Sequence, residues 1–510
     1  MKKLCCLCSL FVFLSVPFFA QEEALASEAE IDESATEISV ENEIDDENAE
    51  KSVDVADSDT ENDTPATVEN DGKKHYLAAL GTVIVPSIFI GSYNRFVSRA
   101  SWANVTWDDA SHFYEHEWKW DKDWYWTNFV LHPYQGSLTY MGARALNLNV
   151  LEAGALTFGS SMIWEYFFET NAPSKNDLTY TSIGGVVVGE MFYRLSVEAA
   201  DWNELISIAL NPTRLYSDRF VKKPAGTTGN IQELSLRLSM GAAHSYTRYT
   251  EIDGERTGSH ETFPIYLGPE LSVVYADPYG HDTNAPYSQF ELDFGAEIGK
   301  GSGKGADKGE KLLMYRVQIK SNGVLWSRAP EFAHRDTTIG LVLDYDFLWH
   351  SFAEVSALSP AFAIKQRINH RESHVDWQVH LGWNVLGTSD NYYYRRAIVD
   401  AEEYRDYSYN MGPEVVAKWR WASDAGHVFD FDVHAYGFYD FYDQLQDIDS
   451  AGYEAAEFVT IRYEHPVSPT VRLGLDNEFY FKQSFYNKYY DDVFSLMYSG
   501  KIYTRIMLIQ

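Results

Sequence analysis

The sequence predicts a mainly β fold: a transmembrane antiparallel β-barrel of about twelve strands, preceded by a small helical domain and a disordered acidic tether. Three observations predict it. The chain opens with an export signal, and an acidic stretch poor in aromatics follows. From residue 226 onward, apolar and polar residues alternate with period two in one segment after another. The boundaries read as a signal peptide over 1–20, a linker over 21–74, helices over 75–225 and the barrel over 226–510.

Lys2 and Lys3 form a charged start, Leu4 to Phe19 is a short apolar run, and Ala20 closes it. That is the layout of a secretory signal cleaved after Ala20, with Ala24-Leu25-Ala26 as second choice. Cys5, Cys6 and Cys8 leave with the signal, so the mature chain should have no disulfide, thiolate metal site or cysteine nucleophile. The formal charge is −34, but residues 21–74 alone hold 20 Asp/Glu against 3 Lys. Such a composition cannot bury enough apolar surface to offset the entropy of ordering. It spaces and solubilises, with calcium capture or docking to a basic periplasmic partner as the alternatives. The net charge repels phosphate and no basic stripe exists, which argues against nucleic acid.

Residues 75–225 read as helical. Tyr76 to Ser92 is apolar but interrupted by Gly81, Thr82, Pro86, Ser87 and Gly91, which predicts a buried or surface-lying helix rather than a membrane span. Six tryptophans between Trp102 and Trp126 suit packing or a membrane interface, or else sugar stacking. His112 and His116 stand one helical turn apart with no third ligand at suitable spacing, so no metal site is expected. Leu151–Phe168 and Leu178–Ala200 have helical spacing. Ser174 followed by Asp177 resembles a capping box, and Gly185 and Gly189 allow another helix to approach. Glu190 and Arg194 are four apart and can pair; Glu165 should pair with Arg144 or His132, because a lone buried charge is costly. His132 directly precedes Pro133, where a helix is expected to begin badly or not at all.

His132-Pro133-Tyr134-Gln135-Gly136-Ser137, Tyr140, Ala143-Arg144, Ser161 and Trp164-Glu165-Tyr166 form an ordered set of motifs. Pro173-Ser174, Asn176-Asp177, Thr181, and the Gly184-Gly185 to Gly189-Glu190 run ending at Arg194 and Ser196 continue it. Over about residues 120–200 this set resembles the bacterial family named domain of unknown function 3943. The resemblance implies an envelope protein of Gram-negative-type bacteria with a helical domain ahead of a β-rich one, and it implies no activity.

In the C-terminal region the alternation is clearest at residues 234–240, 290–298, 313–319, 339–347, 377–385, 429–435, 459–463, 471–481 and 502–508. Less regular candidates lie at 262–276, 352–368 and 407–421. Together they make about twelve strands of the length a tilted membrane strand needs, roughly ten residues. Aromatic stretches at Asn391–Tyr394 and Tyr436–Tyr442 suit interface girdles, and the charged opposite face suits a wet lumen. The end at Gln510 departs from the terminal aromatic common in such barrels. Gly299–Lys311 lacks the spacing of a phosphate-binding loop and reads as a flexible hairpin. His380 and His434 read as lumen lining.

Two functions follow as expectations for an outer-membrane protein in contact with outer-membrane lipids and without a cofactor. One is a non-catalytic pore or structural and docking protein, with the helical domain as a lumen plug or periplasmic foot. The other is an envelope hydrolase or transferase acting on lipid or glycan. There His132 would be the base, Glu165 or Glu190 its orienter, and Arg144, Ser174, Asp177 and Arg194 a supporting or substrate-binding cluster.

Overall fold

The computed structural model describes residues 72–112, 115–120, 123–221, 226–250, 257–304, 311–331, 336–395, 406–442, 451–486 and 491–509. The signal peptide, all but the last three linker residues and the tip of the Gly299–Lys311 hairpin lie outside them. The helical part comprises α1 (Tyr76–Phe96), α2 (Trp107–Ser111), α3 (His132–Ala145), α4 (Val150–Phe167), α5 (Lys175–Thr179), α6 (Gly185–Ala200), α7 (Glu204–Leu210) and α8 (Arg214–Ser217). Twelve strands follow: β1 (Ile231–Thr250), β2 (Thr257–Tyr275), β3 (Phe290–Lys304), β4 (Lys311–Arg328), β5 (Thr337–His350), β6 (Glu354–Asn369), β7 (Ser373–Asp390), β8 (Tyr407–Ser423), β9 (Val428–Tyr442), β10 (Ala451–Ser468), β11 (Val471–Tyr486) and β12 (Val493–Ile509). A short helix, α9 (Tyr392–Arg395), interrupts the β7–β8 connection. Every strand pairs antiparallel with its sequence neighbours, and β1 closes on β12, so the sheet has no open edge. Each of the twelve predicted segments overlies one of these strands, which have 14 to 20 residues; all but β6 run longer than predicted.

The alternation sorts the wall into two faces. On β5, Asp344 and Asp346 point into the lumen, while Tyr345 and Phe347 point out. Outward residues such as Met240, Ile265, Leu267, Ile298, Leu381 and Ile502 are exposed, an apolar belt of the kind hydrocarbon accepts.

Side chains cross the lumen as ion pairs. Arg316 on β4 reaches Glu478 on β11 with two bonds of 2.6 and 2.7 Å. Lys418 on β8 reaches Glu291 on β3 at 2.9 Å, and Lys501 on β12 reaches Glu297 on β3 at 2.9 Å. His380 and His434 do line the lumen, paired with Asp344 at 3.0 Å and Asp346 at 2.6 Å. Toward the end away from the C-terminus an apolar layer adds to this: Tyr266, Leu348, Tyr436, Phe438, Phe458, Tyr480 and Met497, with Phe352 from the β5–β6 turn. The two predicted girdle stretches are corrected in part, Tyr439 remaining exposed on the outer face. Tyr436 and Phe438 face inward because they share the parity of His434, and Tyr392 and Tyr393 pack against Tyr249 and Val493.

The helices are neither plug nor foot. They pack on the outside of the wall. Leu271, Phe294, Ile319 and Phe347 lie in one registered row of outward residues across β2 to β5, and the same row reaches Tyr409 on β8. These belong to one core with Tyr125, Trp126, Phe129, Tyr180, Met191 and Leu195. The row starts near the C-terminal end of the barrel and climbs to the opposite end, because strands in a closed barrel are tilted. The Tyr125–Val130 segment, Tyr180 and α6 form the layer against the wall; α3 packs on α6, and α1 and α4 pack on α3. α3 and α6 meet at glycine: Gly185 lies against Gly136 so closely that neither could carry a Cβ, and Gly189 packs on Tyr140.

Candidate functional site

α3 does not begin badly at His132. Helical backbone runs from Tyr125 into α3, and a wider π turn at Thr127–Leu131 precedes Pro133. Proline brings no N–H, so widening the ladder just before it removes the mismatch, and Pro133 sits in the first turn of α3. This continuity holds His132 buried at the head of the helix.

His132 faces carboxylates other than those predicted. Its Nε2 lies 3.4 Å from Asp177 Oδ1 and 3.9 Å from Asp123 Oδ2, and its Nδ1 lies 3.4 Å from Thr181 Oγ1. Asp177 is almost fully buried, whereas Asp123 is half exposed. Ser174 does cap α5, accepting the Asp177 N–H at 3.2 Å, but the Asp177 side chain does not return the bond. Glu165 supplies that role from α4, accepting the Ser174 N–H at 2.7 Å. With the cap N–H served by Glu165, the Asp177 carboxylate stands as the nearest acid to the imidazole, in ion-pair range. The expected pairing of Glu165 with Arg144 or His132 gives way to this backbone bond.

Glu190 belongs elsewhere. It is fully buried, taking bonds from Arg144 Nε (2.7 Å), Arg194 Nε (2.9 Å) and Tyr140 Oη (2.9 Å). Arg144 is twelve residues after His132 on the same helix, about 18 Å along its axis. The shared His132–Glu165–Glu190 constellation is therefore replaced by two clusters at opposite ends of the bundle. The Glu190 cluster is a closed ion-pair lock, while His132, Asp177, Asp123 and Ser174 line a cleft.

Sequence reasoning passed over Asp123, Asn128 and Asn176 as site residues. Asn176 Nδ2 donates to Asp177 Oδ1 at 2.8 Å and to Asn128 Oδ1 at 3.2 Å. Asn128 in turn donates to Tyr407 Oη at 2.6 Å and to Tyr409 Oη at 3.1 Å. A polar chain thus links the outer wall of β8 to the imidazole. The only signal in the sequence was an Asn-Asp pair beside a cap, which reads as turn chemistry.

The cleft has a volume of 1610 Å³ and runs beside α1, with Val85, Phe89, Leu131, Leu138 and Trp164 among its apolar walls. Chemically, the Asp177 and Asp123 carboxylates can stabilise the protonated form of His132, so the imidazole can exchange a proton with a group in the cleft. The donor atoms of Asp123, His132 and Asp177 lie within 4.8 Å of one another, as do those of Asp346, Glu414 and His434 in the lumen, so either set could hold a metal ion. No such set was visible in the sequence, and His112 instead pairs with Asp108. At the far end of the bundle, Glu152 accepts from Lys74 Nζ at 2.8 Å and from the Asn149 N–H at 3.0 Å. These bonds, the lysine first, pull its carboxyl down to about 2.

Residues 117–212 match the model of the family described as domain of unknown function (DUF3943). No curated protein matches the sequence. Among solved structures, the chain is similar to the transport unit of the autotransporter AIDA-I from Escherichia coli (8% identity, 54% of this chain and 90% of that chain, TM-score 0.28). It is also similar to the outer membrane protease OmpT from Escherichia coli (8%, 54% and 97%, 0.23) and to an outer membrane channel from Pseudomonas putida F1 (8%, 55% and 100%, 0.29).

Proposed function

We propose that this is an outer-membrane protein whose barrel is a closed anchor, and whose working part is the cleft in the helical domain, which binds an amphiphile. One observation carries the reading: the large cavity lies among the helices outside the barrel, while the lumen is crossed by ion pairs and an apolar layer. Apolar walls along α1 suit an acyl chain. The Asp123–His132–Asp177 end, rich in carboxylate oxygen, suits a polar end that donates hydrogen bonds, such as an ammonium headgroup.

A phosphatidylethanolamine carrying a diazirine on its acyl chain tests this in proteoliposomes. Crosslinks are expected on peptides covering 81–97 and 123–138, and filling the cleft with Leu138→Trp should reduce them while leaving crosslinks to barrel strands unchanged. Crosslinks confined to barrel peptides would refute the reading. A second reading, hydrolysis of such an amphiphile, is favoured only by the buried imidazole beside two carboxylates. It predicts that His132→Ala and Asp177→Asn abolish release of a lipid fragment while crosslinking persists.

A further inference from the structure

A helical bundle strapped to the outside of a membrane barrel must share that barrel's surroundings. From this, and resting on the reading that the barrel spans a bilayer, we infer that the helical domain is itself membrane-embedded. Its outermost helix, α1, then faces the acyl chains in place of the wall sector that the bundle covers.

The covered row of wall residues, from Leu271 near the C-terminal end to Tyr409 at the other, crosses the height of the barrel. A bundle attached along that row cannot stand wholly above or below the apolar belt. The polarity of the outer layer agrees. α1 has 21 residues, about 31 Å of helix against a hydrocarbon core of about 30 Å. Its sole charged residue is Arg95, in the last turn. Its exposed face carries Leu77, Leu80, Ile84 and Ile88, at helical spacing, and neighbouring α4 exposes Phe158 and Ile163.

The polar groups behave as lipid demands. Thr82 and Ser87 turn their hydroxyls onto helix carbonyls, at 2.7 Å to Ala79 O and 2.8 Å to Val83 O. The charges of α3 and α6 at Arg144, Glu190 and Arg194 are turned inward and paired. Charged and aromatic residues gather where α1 ends: Lys74 with Glu152 before it, and exposed Trp107 and Trp124 close in sequence after it and on the loop into α3. That is the distribution of an interfacial belt. Of the residues that interrupt the apolar run, Thr82 packs on Gly142 of α3, Gly81 on Tyr216 and Gly91 on Phe168.

Site-directed spin labelling of the full chain in proteoliposomes tests this, in a background with Cys5, Cys6 and Cys8 replaced by Ala. Labels at Leu80, Ile84, Ile88 (α1) and Phe158 (α4) are compared with labels at Met240 and Leu267 on the barrel belt and at Glu372 in the β6–β7 turn. The oxygen-to-nickel accessibility ratio at the helix positions is expected to shift from the turn value to the belt value, and to be highest at mid-helix Ile84 and Ile88. Turn-like ratios on the helices with high ratios on the belt would overturn the inference and leave the barrel reading standing. Turn-like ratios on the belt as well would overturn both.

Discussion

Glu190→Gln is the substitution on which the packing of the helical domain can be judged most sharply. The carboxylate is completely buried and takes four bonds, two from Arg144, one from Arg194 and one from Tyr140. The two guanidinium groups are only 16% and 20% exposed. An amide offers one acceptor oxygen and, in either orientation, turns its N–H donors toward a guanidinium group that can only donate. Two cations would then face each other without an anion, and removing one member of a buried ion pair costs about 3–5 kcal/mol. Arg194→Ala should cost less, because Arg144 and Tyr140 still satisfy the carboxylate. Adding Arg144→Met to Glu190→Gln should recover part of the loss, since these residues share one network and are coupled. Denaturant-dependent hydrogen exchange reads this directly, with peptides from α3 and α6 as reporters and β9–β11, on the far side of the barrel, as internal reference. Exchange in α3 and α6 unchanged to within about 0.5 kcal/mol in Glu190→Gln would refute the reasoning.

The remaining predictions concern the wall, the lumen and the foot of the bundle. Tyr125 and Tyr180 donate to wall carbonyls of Leu348 and Leu386 at 3.1 and 3.0 Å, so the double Tyr→Phe variant should loosen the bundle by about 1–3 kcal/mol, read as faster exchange in α3 with barrel exchange unaltered. Purified protein in planar bilayers should give no steady conductance, because the lumen is crossed by ion pairs; sustained channel currents would contradict the closed lumen. The protein should stay with carbonate-washed membranes and migrate anomalously on gels until heated, and release as a soluble species would count against the barrel's membrane location. Because the Glu152 carboxyl is depressed to about 2, its stabilisation is fully present above its unfolded value and is lost as pH falls through the folded one. Lys74→Met should therefore lower the thermal midpoint near neutral pH and become indistinguishable from the parent near pH 2.

The sequence determined by itself those features that depend on residues close together in the chain. Period-two alternation placed twelve strands, because each strand separates two environments and side chains alternate between them. The Glu190–Arg194 contact followed from one helical turn, and the Ser174 cap from a three-residue spacing. What alternation cannot say is which surroundings meet each face. An outward apolar face fits lipid and fits a helix equally well, so Tyr345, Phe347 and Tyr409 gave no sign that helices cover them. An inward charged face fits water and fits opposite charge equally well. Arg316 and Glu478 are 162 residues apart, and only barrel closure brings them together. The same holds at the site. His132 was legible as a reactive group, but its partner was chosen by the contact between α3 and the turn before α6, and by Glu165 taking the cap N–H that Asp177 would otherwise have served. Local propensity writes the elements; the tertiary structure decides which polar groups meet, and on this chain it brings His132 and Asp177 together in the cleft.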